Sequence, residues 1–174
     1  MDADAMILIM DYKDYQGEER PVLMAFKHGL SEEELQGRNF PNMKIYKDVF
    51  SGDELFSNNY PMKLVDDCLY EVYGNFISLT EGADGDEGGD VVDLVLNHRL
   101  TETGFRSKSD FWVYFKDYLQ KLVKYLERND RASEVNVFRM NINNVMKELL
   151  GKFKDLQFFT GNKTHCRRCS VVTF

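Results

Sequence analysis

Short apolar runs separated by polar turns fill the first part of the chain, and this pattern is typical of antiparallel strands. Residues 6–12 and 22–27 are mostly apolar, and the polar stretch between them is closed by Pro21. We therefore predict that the two runs form a β-hairpin. Residues 43–50 alternate polar and apolar side chains, which predicts a strand buried on one face. Residues 27–42 carry the Gly, Asn and Pro of a loop or linker.

The next segment predicts a second hairpin followed by an acidic loop. Residues 63–80 contain two apolar runs that would pair by turning at Gly74 and Asn75. Residues 81–90 hold four glycines and five acidic residues, a composition that favours a flexible, solvated loop. Residues 91–103 again have the apolar pattern of a strand.

Two amphipathic helices joined by a short loop are predicted over residues 107–153. Ser107 stands three residues before Asp110, a start that resembles a capping box. A last strand is predicted over residues 156–161, so strands precede helices and one strand follows them, the order of an α+β domain. Apolar residues recur every three or four positions on both helices: Phe111, Phe115, Leu119, Leu122 and Leu126 on the first, and Val135, Phe138, Ile142, Val145, Leu149 and Phe153 on the second.

Composition narrows the class of protein. The chain has 174 residues, of which 43% are hydrophobic, enough for the core of one domain. Its formal net charge of −7 argues against a nucleic-acid partner. No apolar run approaches the roughly 20 residues that cross a bilayer, the acidic start lacks a secretory signal, and three cysteines are too few for a disulfide framework. We expect a cytoplasmic protein with neither nucleic acid nor membrane as partner.

The chain contains no motif of a known catalytic class. No nucleophile elbow, phosphate-binding glycine loop or zinc-protease motif is present in the sequence. We therefore expect that the protein is not an enzyme and requires no cofactor.

Charge is unevenly distributed along the chain. Residues 107–154 hold ten Lys and Arg against six Asp and Glu, although the whole chain is acidic. Such a basic hairpin is either an ordinary solvated helix face or a docking surface for an acidic partner.

Four segments in order resemble the translationally controlled tumour protein family. They are "MKIYKDVFSGDELFS" (43–57), "LNHRLTETGF" (96–105), "FKDYLQKLVKYLE" (115–127) and "LGKFKDLQFFTGN" (150–162). The resemblance implies a β-tent body of antiparallel strands with a projecting antiparallel helical hairpin. It also implies a calcium- and protein-binding regulatory protein of growth and cell survival, with tubulin, small GTPases and regulators of apoptosis as partners. Guanine-nucleotide exchange on a Ras-like GTPase, or a chaperone role toward it, is the alternative.

The order of the segments indicates a circular permutation. Residues 1–35 resemble the family's carboxy-terminal hairpin, residues 43–161 resemble the rest, and residues 36–42 would be the linker within one domain, 1–161. Residues 162–174, with Cys166 and Cys169, would be a disordered tail with free thiols. The alternative is a remnant of one copy fused to a truncated second copy, which would form a domain-swapped dimer rather than a monomer.

The resemblance also indicates candidate site residues. Asp53 and Glu54 lie in the turn after the first family strand, and Glu54 matches the acidic residue proposed to contact small GTPases; the alternative is an exposed turn carboxylate. Lys116, Lys121, Lys124 and Arg128 would form the tubulin-facing surface of the first helix.

Calcium binding is implied at the acidic loop, where clustered carboxylates suit a hard cation. The spacing does not follow an EF-hand, so only a weak site is expected, and an acidic loop with no bound ion is the alternative. The candidate ligands are Asp84, Asp86, Glu87 and Asp90. His28 and His98 lack any nearby partner motif, and we expect structural or surface roles for both.

Overall fold

Three antiparallel sheets and a helical hairpin make up the part of the chain that the computed structural model describes, residues 4–37, 39, 42–79 and 89–162. The strands are β1 (Leu8–Tyr15), β2 (Glu18–Phe26), β3 (Leu30–Leu35), β4 (Met43–Asp48), β5 (Glu54–Ser57), β6 (Met62–Val65), β7 (Leu69–Tyr73), β8 (Phe76–Ser78), β9 (Asp90–Val92), β10 (Thr101–Thr103) and β11 (Gln157–Thr160). The α-helices are α1 (Asp93–Asn97), α2 (Lys108–Arg128) and α3 (Ala132–Gly151), and short 3₁₀ turns cover Lys27–Gly29 and Phe153–Asp155.

The largest sheet has six strands in the order β10-β11-β1-β2-β7-β6. Strands β3, β4 and β5 form a second sheet, and β8 and β9 form a small third one. Because β1 lies between β11 and β2, Ile9 stands opposite both Phe158 and Met24. The front of the chain therefore supplies two of the inner strands of the main sheet.

The first hairpin is confirmed, and its burial explains its apolar runs. Residues 8–10 and 21–26 are buried without alternation, as expected for strands covered on both faces. The two strands are joined at Gln16 and Gly17, whose φ angles of 57° and 87° are the positive values that a tight hairpin turn requires.

Helix α2 packs its apolar face against the main sheet. Its start is capped by Ser107, whose Oγ accepts a hydrogen bond from the Asp110 amide at 3.1 Å. Phe26 of β2 contacts both Phe115 and Tyr118, with ring centroids 5.2 and 5.8 Å apart. Helix α3 completes an antiparallel pair, so the predicted α+β class with antiparallel sheets and a helical hairpin is confirmed. None of the helices in the described ranges combines the length and apolarity needed to cross a bilayer.

Hydrogen bonds tie the segment before β1 to β4 and α2. The Asp48 carboxylate accepts the Met6 amide at 2.7 Å. The Tyr114 hydroxyl donates to the Ala5 carbonyl at 2.5 Å and accepts the Ile7 amide at 2.9 Å. The front segment is thereby held on two elements besides its own sheet.

The predicted loop over residues 27–42 is wrong in its first half, since residues 30–35 form strand β3. Glutamates weaken strand propensity, but here each faces a cation on the neighbouring strand. Lys44 Nζ lies 3.1 Å from Glu32 Oε2, and Lys47 pairs with Glu33. Strand β4 is not buried on one face alone, since the neighbouring residues Ile45 and Tyr46 are both buried, as is Asp48.

The second hairpin was also predicted with the wrong turn. The structure turns between β6 and β7 at Asp66 and Asp67, which have φ angles of 49° and 53°. Residues 76–78 pair instead with β9. Asp residues tolerate the left-handed conformation, but two in succession are a weaker turn signal than Gly-Asn.

The strand predicted over residues 91–103 is interrupted by helix α1. Asp93, the first residue of α1, accepts the Asn75 amide through Oδ1 at 2.8 Å. The same oxygen accepts the Leu94 amide, also at 2.8 Å. This carboxylate holds the chain in a turn where the apolar pattern alone predicts extension.

Candidate functional site

A polar groove lies where the end of β4, the start of β5 and the end of α1 meet. Its volume is about 460 Å³. It contains both residues that the sequence singled out in this turn, together with cations and amides from other elements. Its lining consists of Lys47, Asp53, Glu54, Asn97, His98, Arg99 and Asn162.

The turn before β5 is built by backbone hydrogen bonds around a glycine. Gly52 has a φ of 73° and donates to the Asp48 carbonyl at 2.8 Å. The Asp48 amide donates in turn to the Asp53 carbonyl at 2.9 Å. Only a residue without a side chain adopts this left-handed conformation without strain, so Gly52 sets the direction of the acidic pair.

The two acidic candidates have different environments. Asp53 is only 2% exposed and lies so close to Gly161 that a side chain at Gly161 would overlap its Cβ. Glu54 begins β5, and its side chain is 48% exposed. Of the predicted pair, Glu54 is therefore the carboxylate that an approaching molecule meets.

His98 is one of the groove residues that the sequence did not assign to a site. Its Nδ1 lies 3.3 Å from Glu54 Oε1, and its side chain is almost completely buried. Burial lowers the pKa of His98, although the Glu54 carboxylate opposes this shift. Burial thus favours the uncharged form of the imidazole beside this carboxylate. No sequence motif links these two residues, because they meet only through the fold.

The predicted basic surface on α2 is divided by the structure. Lys116, Lys124 and Arg128 are exposed. Lys121 is partly buried, with Nζ 3.6 Å from Asp4 Oδ1 and 4.7 Å from the centroid of the Phe50 ring. Three of the four cations are thus presented to solvent, while the fourth faces the body.

Most of the predicted calcium ligands, Asp84, Asp86 and Glu87, lie outside the described residues, as do Cys166 and Cys169. Asp90 is described, and its Oδ1 accepts the Ser78 hydroxyl at 2.6 Å. Within residues 4–37, 39, 42–79 and 89–162 no group of three or more His, Cys, Asp or Glu residues is arranged to hold a metal ion.

His28 lies in the 3₁₀ turn between β2 and β3 and contacts α3. Its Nε2 is 3.4 Å from Glu134 Oε2, and its ring centroid is 4.8 Å from that of Phe138. Burial lowers the pKa of His28, against the attraction of Glu134. This placement agrees with the structural role expected for it.

Comparison with known proteins relates the chain to one family. The family model described as "Translationally controlled tumour protein" matches residues 43–174, further than Gly161, where we expected the similarity to end. A homologue of that protein from Aedes albopictus is 54% identical over 121 residues, 60% of this chain and 70% of the relative. The Drosophila melanogaster homologue is 47% identical over 122 residues, with the same coverage.

A solved structure agrees with the sequence matches. The translationally controlled tumor-associated protein p23fyp from Schizosaccharomyces pombe superposes with a TM-score of 0.60 at 31% identity. The similarity covers 69% of this chain and 79% of the yeast protein. The chain thus belongs to the translationally controlled tumour protein family.

Proposed function

We propose that this protein is a cytoplasmic, non-enzymatic regulatory protein that acts by binding other proteins, tubulin among them. The observation that carries the proposal is the exposure of Lys116, Lys124 and Arg128 on one helix of an otherwise acidic chain. A cationic surface opposed to an acidic body orients an acidic partner before contact and speeds its association. The affinity that these exposed cations provide should fall as the salt concentration rises, because dissolved ions screen exposed charges.

Replacing Lys116, Lys121, Lys124 and Arg128 together with Ala is expected to weaken co-pelleting with microtubules about tenfold. The substitutions remove positive charge and keep the buried apolar side chains of α2, while the change at Lys121 also removes its contacts with Asp4 and Phe50. A matched control replaces Lys63, Arg106, Lys108 and Lys154, four exposed cations outside the proposed tubulin-facing set. Equal pelleting of the wild type and the fourfold variant would remove tubulin from the proposal.

A second candidate function is contact with a Ras-like small GTPase that promotes nucleotide release. It is favoured by the exposed Glu54 carboxylate at the mouth of the polar groove. A carboxylate placed there can compete with nucleotide phosphates and Mg²⁺ for a cationic side chain of the GTPase.

Glu54→Ala is expected to return the release of a fluorescent GDP analogue from a Ras-like GTPase to its spontaneous rate. Asp53 is unsuitable for this test because it is buried in the turn. Glu18→Ala, at an exposed carboxylate on β2, is the matched control. Release at the spontaneous rate with the wild-type protein would leave only the binding function.

The remaining parts of the proposal are expectations drawn from the sequence and its family resemblance. They are a weak Ca²⁺ site in the acidic loop, no required cofactor, partners among apoptosis regulators, and a role in growth and survival. We propose no nucleic-acid or membrane partner, and a monomer in preference to a domain-swapped dimer.

A further inference from the structure

An apolar furrow runs along the outer side of the helical hairpin, between α2 and α3. Its wider part, with a volume of about 500 Å³, is lined by Leu119, Gln120, Val123, Lys124, Glu127, Phe138, Arg139, Ile142 and Asn143. A second depression of about 270 Å³ continues it and is lined by Trp112, Asn143, Met146, Lys147 and Leu150. Asn143 belongs to both, so the two depressions form one continuous surface, which we name the interhelical furrow.

The floor of the interhelical furrow is apolar and its length suits a short helix. Phe138, Ile142 and Met146 recur along α3 at a spacing of four residues and form the floor with Val123, where all four are buried. The apolar surface open to a partner comes from the half-buried side chains of Leu119, Trp112 and Leu150. From Phe138 to Leu150 the furrow extends about 18 Å at the rise of an α-helix. Partners that bind as helices in grooves present apolar residues at this same spacing.

The rim of the furrow is mainly cationic. Lys124, Arg139 and Lys147 line it directly, and Lys116 Nζ lies 5.2 Å from the centroid of the Trp112 ring. Glu127 is the one acidic residue among the lining side chains. The lining thus combines an apolar strip with a net positive edge.

We propose that the interhelical furrow binds an acidic amphipathic helix of a partner protein. The apolar side chains of that helix would pack on Leu119, Trp112 and Leu150. Its carboxylates would face Lys124, Arg139 and Lys147. Gln120 and Asn143 would offer hydrogen bonds to its polar side chains. Charge complementarity selects an acidic segment over a neutral or basic one. The inference deepens the proposed function, since it assigns the partner class and the binding mode of the basic hairpin.

Trp112 makes the proposal measurable, because it is the only tryptophan of the chain and lines the furrow. The probe is a synthetic, tryptophan-free helix of about 14 residues, with leucines at helical spacing and glutamates on both flanks. Titration into the full chain is expected to shift Trp112 emission to shorter wavelength, with saturation. The same peptide with lysines in place of glutamates is expected to leave the emission unchanged.

Charge reversal on the rim tests the site itself. The triple variant Lys124→Glu, Arg139→Glu, Lys147→Glu is expected to weaken peptide binding at least about tenfold. Reversal of Lys63, Lys108 and Lys154, which lie outside the furrow, is expected to change it less than about twofold. Comparable binding by both triple variants would overturn the proposal. An emission shift with anionic phospholipid vesicles but not with the peptide would also overturn it. The same holds for an emission shift that depends only on the concentration of the protein and not on added peptide.

Microtubule pelleting separates this inference from the proposed function. One outcome is that the peptide causes no change in emission while pelleting is still lost in the Lys116, Lys121, Lys124, Arg128 variant. That result would support tubulin binding by the basic helix and overturn the furrow as the docking site. A peptide response without any pelleting would retain the furrow and remove tubulin as partner.

Discussion

A chain that lacks residues 1–35 is expected to show no cooperative unfolding transition. The deletion removes β1 and β2 from the inside of the main sheet, so β11 and β7 each lose one of their two partner strands. It also removes β3 from the second sheet. Each large apolar side chain lost from a core costs about 1.5–3 kcal/mol. A domain is stable by only about 5–15 kcal/mol, and the front segment contributes more than ten buried apolar residues.

The test compares the deletion with a cut at the same place. Thermal unfolding followed by circular dichroism should show a cooperative transition in the full chain and none in the deletion. In the control, a protease site replaces residues 36–42 and is cleaved after folding. The cut chain is expected to unfold cooperatively, because the front fragment keeps its sheet hydrogen bonds to β11 and β7. A cooperative transition in the deletion chain would show that the rest of the chain folds without the front hairpin.

Light scattering on the same samples shows whether the front hairpin pairs within its own chain or with a second copy. Within one chain, β1 pairs with β11 and β2 pairs with β7, so we expect the mass of a monomer. A dimer would instead favour exchange of the front hairpin between copies, the alternative raised by the sequence.

The circular permutation itself stays a prediction. The family model matches from residue 43 onward, and the relatives align over about 70% of their length. An alignment that runs in one direction would miss a segment moved from the end to the front. A reordered chain, with residues 1–35 placed after residue 161, should fold to the same core if this hypothesis is correct.

Much of the fold could be predicted because the longest hydrophobic patterns in the sequence repeat over many positions. The apolar face of α2 repeats over about four turns, and the front strands are continuous apolar runs, so one atypical residue does not hide either pattern. Strand β3 could not be predicted, since its glutamates are stabilised by lysines on another strand. The turn at Asp66 and Asp67 was not predicted because both residues have positive φ angles, which a sequence signals clearly only through glycine.

The candidate site was predictable only in part, because some of its residues meet only through contacts between distant parts of the chain. Glu54 was identified through the family resemblance of residues 43–57, which places it in the turn after a strand. His98 lies 3.3 Å from it only after α1 and β5 are in place. The interhelical furrow depends on the packing of two helices, whose periodicity predicts a buried face but not the gap beside it.

Gly29→Ala is expected to destabilise the domain by about 3 kcal/mol, the upper range for an overpacked core. Gly29 lies in the 3₁₀ turn after β2, where an added methyl group would overlap the Tyr118 hydroxyl and lie 2.6 Å from Met6 Cε. The methionine end can move, but the rigid Tyr118 ring is fully buried against Phe26 and Phe50. Gly29 also accepts the Val49 amide at 3.0 Å, which restrains its backbone.

Tyr118→Phe supplies the control for this prediction. The Tyr118 hydroxyl finds no hydrogen-bond partner among the described residues, so its removal is expected to leave stability unchanged or raise it by about 1 kcal/mol. In the double variant the oxygen that overlaps the new methyl group is absent, and most of the loss from Gly29→Ala should be recovered. Urea unfolding of the four proteins gives the coupling free energy directly. Additive effects in this cycle would mean that the close approach of Gly29 to Tyr118 is not what requires a glycine there.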